Sequence, residues 1–165
     1  MQDDGKVWIF RLRRNVYFQN GTQFNADSVI ANFDRMKKGL KRSNFYSLSL
    51  ALYYPSLISY EKLDEYTVRL VFKEPNINQL YKMTDFGSPM FAPECFDANG
   101  DFKDIAIGTG PYKITKNVMN KYVVLKCNDN YWGEKGKIKK ICRAQIFPIR
   151  IHAMQHLNPV KLTEY

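Results

Sequence analysis

Two histidines, His152 and His156, stand four residues apart near the end of this 165-residue chain. On a helix that spacing puts both imidazoles on one face, where they can serve as two ligands of a metal ion. Two ligands do not complete a typical site, so the pair is assigned no metal. Three cysteines, Cys95, Cys127 and Cys142, match no metal or redox spacing. An odd number does not make a disulfide framework, and buried thiols are expected. No Ser/His/Asp or Cys/His set stands out, and no glycine-rich loop follows a strand to cradle phosphate. The residue types point away from catalysis and from a resident cofactor.

The charge pattern offers a different chemistry. The net charge is +9, and the basic residues concentrate at 35–42 (RMKKGLKR) and 135–143 (KGKIKKICR). Such patches suit an anionic partner such as nucleic acid. No nucleic-acid motif accompanies them, so they read as a solvated helix end and a lysine-rich loop entering a strand. A stand-alone basic domain remains the alternative, and a steep salt dependence of heparin retention would distinguish it. Hydrophobic residues make up 45% of the chain and charged residues 25%, enough for one domain with a real core. No apolar run reaches the length of a membrane span. Met1-Gln2-Asp3-Asp4 is acidic where a secretory signal would be basic and then apolar.

The elements that position these residues follow from periodicity and turn chemistry. Residues 7–13 alternate, with Trp8, Phe10 and Leu12 on one strongly apolar face of a strand. Asn20-Gly21 signals a turn. Asn25 is placed to cap a helix over 25–38, with Ser28 at the capping-box position where Glu or Gln is usual. Val29, Ile30, Phe33 and Met36 form its apolar stripe, Lys37 and Lys38 suit its C-terminal dipole, and Gly39 ends it. A short helix is expected over 45–54. Strands at 56–60 and 66–72 make a hairpin across the polar residues 61–65. A short helix capped by Asn76 follows over 76–83, then an irregular stretch over 85–96 and a polar loop over 97–107. A second hairpin joins 111–116 to 121–127, and a last strand covers 137–147. The core is expected to bury Trp8, Phe10, Leu12, Val29, Ile30, Phe33, Val68, Leu70, Phe72, Tyr112, Val124 and Trp132.

Three segments carry a family resemblance in order: GKVWIFRLRRNVYFQNGTQFNADSV at 5–29, Gly108-Thr109-Gly110-Pro111-Tyr112, and Asn128-Asp129-Asn130-Tyr131-Trp132-Gly133. Together they resemble the extracellular solute-binding proteins, family 5, that feed peptide and nickel ABC importers. The motifs themselves read as structural: glycines permit unusual backbone angles where the chain re-enters a sheet, Pro111 fixes the first strand residue, and Tyr131-Trp132 closes a core edge.

The resemblance implies an α/β fold with a mixed sheet, part of the class II periplasmic-binding-protein fold. Residues 1–106 correspond to the accessory subdomain of the first lobe and 107–148 to part of its main sheet; the second lobe has no counterpart. It implies a passive binder rather than an enzyme. Its partners would be an oligopeptide or nickel–chelator solute and a membrane ABC permease, with no nucleic acid. The complete protein would lie outside the cytoplasm, in the periplasm or at the cell surface, in places as a lipoprotein, and this chain would be a monomeric fragment not competent to bind. The resemblance also places candidate ligand contacts. Nickel-importer members carry an arginine-plus-aromatic element that falls on Arg42, Phe45 and Tyr46, with a guanidinium to fork a carboxylate and rings to stack. A second arginine is expected near 85–90; Phe86, Gly87 and Ser88 stand there instead, a small, apolar wall better suited to a peptide or other organic solute. After Pro148 a member continues as D-P-x-x-R-x-x-A-x-x-x-G-E-x-D. Residues 149–165 depart from this, yet suitable codons read one base out of register restore it, so the tail is expected to be an out-of-frame product that packs poorly.

Overall fold

The computed structural model describes residues 3–38, 50–85, 87–118 and 121–144. Six strands and three α-helices occur among them: β1 (Val7–Arg11), α1 (Ala26–Lys38), α2 (Leu50–Tyr53), β2 (Leu57–Asp64), β3 (Thr67–Phe72), α3 (Gln79–Lys82), β4 (Tyr112–Val118), β5 (Tyr122–Cys127) and β6 (Lys140–Ala144). They form two antiparallel three-stranded sheets, ordered β1-β3-β2 and β4-β5-β6.

The first sheet owes its register to one apolar face. Trp8 pairs with Leu70 and Phe10 with Val68. Val68, Leu70 and Phe72 are each only 1% exposed, because alternate residues of β3 all point toward α1. Helix α1 lays Ala26, Val29, Phe33 and Met36 on that face, and Tyr53 and Tyr54 of the α2 turn complete the cluster. Phe33 is packed edge-on by Tyr54 at 4.8 Å and stacked on Tyr60 at 5.0 Å.

The start of α1 follows the sequence closely. The Ser28 amide donates to Asn25 Oδ1 at 3.1 Å, and the Asn25 amide donates to Ser28 Oγ at 3.2 Å. This is a reciprocal capping box built with serine. Serine suits the site because the position is 3% exposed, which leaves no room for the usual Glu or Gln.

Other expectations are corrected. The strand expected over 56–60 runs to Asp64, since the polar residues Glu61, Lys62 and Asp64 pair with Arg69, Val68 and Thr67. As the edge strand, β2 can turn polar side chains to water without losing its ladder. Helix α3 is shorter than expected, and its N-cap residue is Asn78, not Asn76. Asn76 is buried and donates to Gln79 Oε1 at 2.7 Å. Gly108 and Gly110 have no positive φ and no crowding that excludes a side chain. Trp132 is 45% exposed, covered by the Arg13 guanidinium 4.5 Å above its ring and by Tyr131. Phe10, Leu12, Ile30, Tyr112 and Val124 are half-buried, whereas Trp8, Val29, Phe33, Val68, Leu70 and Phe72 are buried as expected. The second hairpin is present, with its strands reaching Val118 and starting at Tyr122. The last strand begins at Lys140 rather than 137. Gly39, residues 45–49 of the expected helix and the tail from 149 lie outside the described residues.

Candidate functional site

Of the candidate ligand contacts, Gly87 and Ser88 are described; Arg42, Phe45, Tyr46 and Phe86 lie outside the described residues, as do His152 and His156.

Gly87 lies directly against the Tyr53 ring, and a Cβ at this position would overlap the ring carbons. A residue without a side chain is required by that close approach. The Ser88 amide donates to the Asp85 carbonyl at 3.0 Å, closing a tight turn, and Ser88 is 6% exposed. Its hydroxyl lies beside the Tyr54 phenol. Burial pushes that phenol up from its ordinary pKa, and the Ser88 hydroxyl pulls it partly back.

What holds this wall on the fold is a second stripe of α1. Ser28, Asn32 and Arg35 recur at helical spacing and are all buried, although polar. The Asn32 side chain reads the Phe91 peptide from both sides: its amide donates to the Phe91 carbonyl at 2.8 Å, and its Oδ1 accepts from the Phe91 amide at 3.1 Å. The Arg35 Nε donates to the Gly100 carbonyl at 2.9 Å. Its guanidinium lies 4.6 Å from the rings of both Phe96 and Phe102. Burial draws the Arg35 pKa down from its ordinary value, and the neighbouring Asp101 and Cys95 oppose that shift. Helix α1 thus faces two ways: an apolar stripe meets the sheet, and a polar stripe staples residues 88–102. Arg35, read in the sequence as part of a solvated basic run, is a buried anchor. Exposed polar residues and buried staples look alike in composition, and the signal that could have found this stripe is the 28/32/35 spacing beside the apolar one.

An apolar cavity of about 170 Å³ lies beneath the wall. It is lined by Phe10 and Leu12 from the β1 segment, Val29 and Phe33 from α1, Val68 and Leu70 from β3, and Phe24, Met83, Ser88 and Met90. Ser88 is its one polar side chain among these residues. A more open pocket of about 380 Å³ lies between the early turn, the 94–107 segment and β4, lined among others by Gln19, Glu94, Cys95, Lys103 and Lys113. Burial pushes the Cys95 thiol up from its ordinary pKa. Among the described residues, no three His, Cys, Asp or Glu side chains converge on a metal site, and no helix is long and apolar enough to cross a membrane.

The motifs that looked structural in the sequence are tied to one another. Asn128 is 4% exposed. Its amide side chain donates to the Gly110 carbonyl at 3.0 Å, and its backbone N–H donates to the Pro111 carbonyl at 2.7 Å. Gln19 donates from the other side, to the carbonyls of Gly110 and Tyr112. The Gly-Thr-Gly-Pro segment is a strip of backbone acceptors held between Gln19 and Asn128.

The α/β scaffold is shared with known proteins. Residues 1–149 match bacterial extracellular solute-binding proteins, family 5 (middle), and the chain belongs to this family. It is 33% identical over 144 residues to the nickel-binding periplasmic protein of Escherichia coli (strain K12), covering 84% of this chain and 26% of that protein. It is 31% identical over 140 residues to the glutathione-binding protein GsiB of Salmonella choleraesuis (strain SC-B67), covering 81% of this chain and 25% of that one. Among solved structures it resembles NikA from Brucella suis in complex with Fe(III)-EDTA, with a TM-score of 0.67 and 31% identity, over 88% of this chain and 29% of that chain. The fold is therefore part of the periplasmic-binding-protein fold, and the chain spans about a quarter of the length of the curated relatives it matches.

Proposed function

We propose that this chain is the part of an ABC-importer solute-binding component that presents one wall of the solute cleft. Residues 1–106 act as the accessory subdomain of the first lobe, and 107–148 as part of its main sheet. Arg42, Phe45, Tyr46, Phe86, Gly87 and Ser88 face the solute, which is a peptide or similar organic molecule rather than a nickel chelate. The complete protein works outside the cytoplasm, captures its solute by hinge closure and delivers it to a membrane permease.

The observation that carries the choice of solute is the Gly87–Ser88 wall. It lies over an apolar cavity and offers a buried hydroxyl. A nickel chelate presents carboxylates and calls for cationic forks at this point. An organic solute with apolar groups matches small residues over apolar surface.

Taken by itself, this stretch of 165 residues offers one wall and should bind weakly. A ligand pocket ordinarily buries most of its ligand. An exposed arginine–carboxylate pair contributes about 0–1 kcal/mol, whereas micromolar binding needs about 8 kcal/mol. Calorimetry with nickel, nickel–histidine and a mixed peptide pool tests both points. The expected result is no micromolar binding by the isolated chain, with peptides ahead of nickel–histidine at millimolar concentration. Micromolar binding of nickel or nickel–histidine would overturn the reading and return His152 and His156 to consideration.

The family match ends at residue 149, where the expected helix pattern breaks. That supports the reading of 149–165 as an out-of-frame product. The coding DNA decides it: if no single-base shift restores the pattern, the idea fails.

A further inference from the structure

The cavity beneath Ser88 has a use beyond forming a wall. Natural cores are close-packed, with few voids larger than a water molecule. Here about 170 Å³ is open between α1 and the β1–β3 face. Apolar voids of this size stay dry, and one of about 150 Å³ lined by Leu, Ile and Phe accepts benzene. Polar partners for water are scarce in this one, because Ser88 is the one polar side chain among its described lining residues.

Its walls differ in rigidity. Phe33, Val68 and Leu70 form a floor that is 1% exposed. That floor is fixed on one side by the β1–β3 register and on the other by the capped helix. The less buried part of the lining includes Met83 and Met90, half-buried like Phe10, Leu12 and Phe24. Methionine is unbranched and polarisable, and it adapts to guests of different shape. The wall between them is held in place by the Ser88–Asp85 turn and by the grip of Asn32 on Phe91. A rigid floor, an adaptable methionine rim and one hydroxyl at the edge make a receptor for a compact apolar group.

We propose that this cavity is a subsite for one branched aliphatic or phenyl side chain of the solute, entering beside Ser88 between Met83 and Met90. The inference rests on the reading of the Gly87–Ser88 wall as solute-facing. It adds that the solute carries an apolar side chain of leucine or phenylalanine size.

The test uses the full chain with methyl-labelled methionine, titrated separately with toluene, N-acetyl-leucinamide and triglycine. Toluene and N-acetyl-leucinamide should each shift the Met83 and Met90 methyl resonances saturably, and triglycine should not. Ser88→Leu, beside the proposed entry, and Val29→Phe, which fills the cavity from α1, should each weaken both effects at least ten-fold. Circular dichroism checks that each variant is folded, and either variant alone suffices. No shift with toluene means the cavity does not open to ligands, and the proposal falls while the transport reading stands. Toluene binding without N-acetyl-leucinamide binding marks a packing void and equally overturns it. Failure of the transport reading looks different: N-acetyl-leucinamide occupies the cavity, yet apolar peptides bind no better than it does.

Discussion

The Gln19 side chain donates to the Tyr112 carbonyl at 2.8 Å and to the Gly110 carbonyl at 3.2 Å, joining residues 93 and 91 positions apart. The Gln19 backbone N–H adds a third bond, to the Gly108 carbonyl at 3.0 Å. One residue of the early turn segment thus reads the backbone at the entrance of the second sheet.

Gln19 is therefore expected to set the stability of the junction between the early turn segment and the second sheet. Gln19→Ala removes two side-chain hydrogen bonds and should cost roughly 1–3 kcal/mol in a denaturant titration, at about 0.5–1.5 kcal/mol each. Gln19→Glu should be worse than Gln19→Ala, since a carboxylate facing two carbonyls offers acceptors where donors are needed. A Glu variant as stable as the wild type would show that the bridge contributes nothing.

Gly87 is expected to tolerate no side chain. Its missing Cβ is the space occupied by the Tyr53 ring, so Gly87→Ala should displace the ring and cost roughly 1–3 kcal/mol, the usual range for overpacking. The Ser88 amide resonance should move with it. The same change at Gly110, which has no neighbour within 4 Å, should leave the fold nearly unaffected.

Ser28 departs from the usual capping-box residue for a steric reason, which gives a prediction with a counterintuitive sign. Ser28→Glu restores the common motif yet should destabilise the protein, because it drives a carboxylate into a position 3% exposed. Asn25→Ala, by contrast, should cost only about 1 kcal/mol through loss of the cap. Thermal melts of both variants compare the two effects directly.

Cys95 links stability to alkaline pH. Burial is the main cause of its raised thiol pKa. The folded state therefore holds the thiol proton more tightly than the unfolded state does. This contribution is fully present below the ordinary thiol pKa and is lost as pH rises through the folded value. Cys95→Ala should flatten the fall in stability above pH 9 or so. In native protein, Cys95 should also react with a disulfide reagent more slowly than the half-buried Cys127.

Local chemistry carried a large part of this fold. The alternation at Trp8-Ile9-Phe10, the Asn25 cap, the Asn20-Gly21 turn and the 66–72 strand are all determined by neighbours within a few positions. The turn is closed by the Gly21 amide on the Phe18 carbonyl at 2.8 Å, with Gly21 at φ +90. Such features depend on backbone geometry and side-chain period, which a linear pattern encodes. The three ordered motifs likewise identified the family from the chain alone.

Tertiary structure decided the rest. Whether Asn32 and Arg35 face water or grip the 88–102 segment depends on partners 59 and 65 residues away. A polar side chain in a helix has the same local propensity in either case. Trp132 could not be assigned to core or surface from its bulk, because its cover is Arg13, 119 positions earlier in sequence. The cavity under Ser88 is an absence of atoms bounded by segments from across the chain, and no single segment encodes it. Sequence fixes what each segment prefers, but burial and cavities are set by which segments meet, and that is a property of long-range packing.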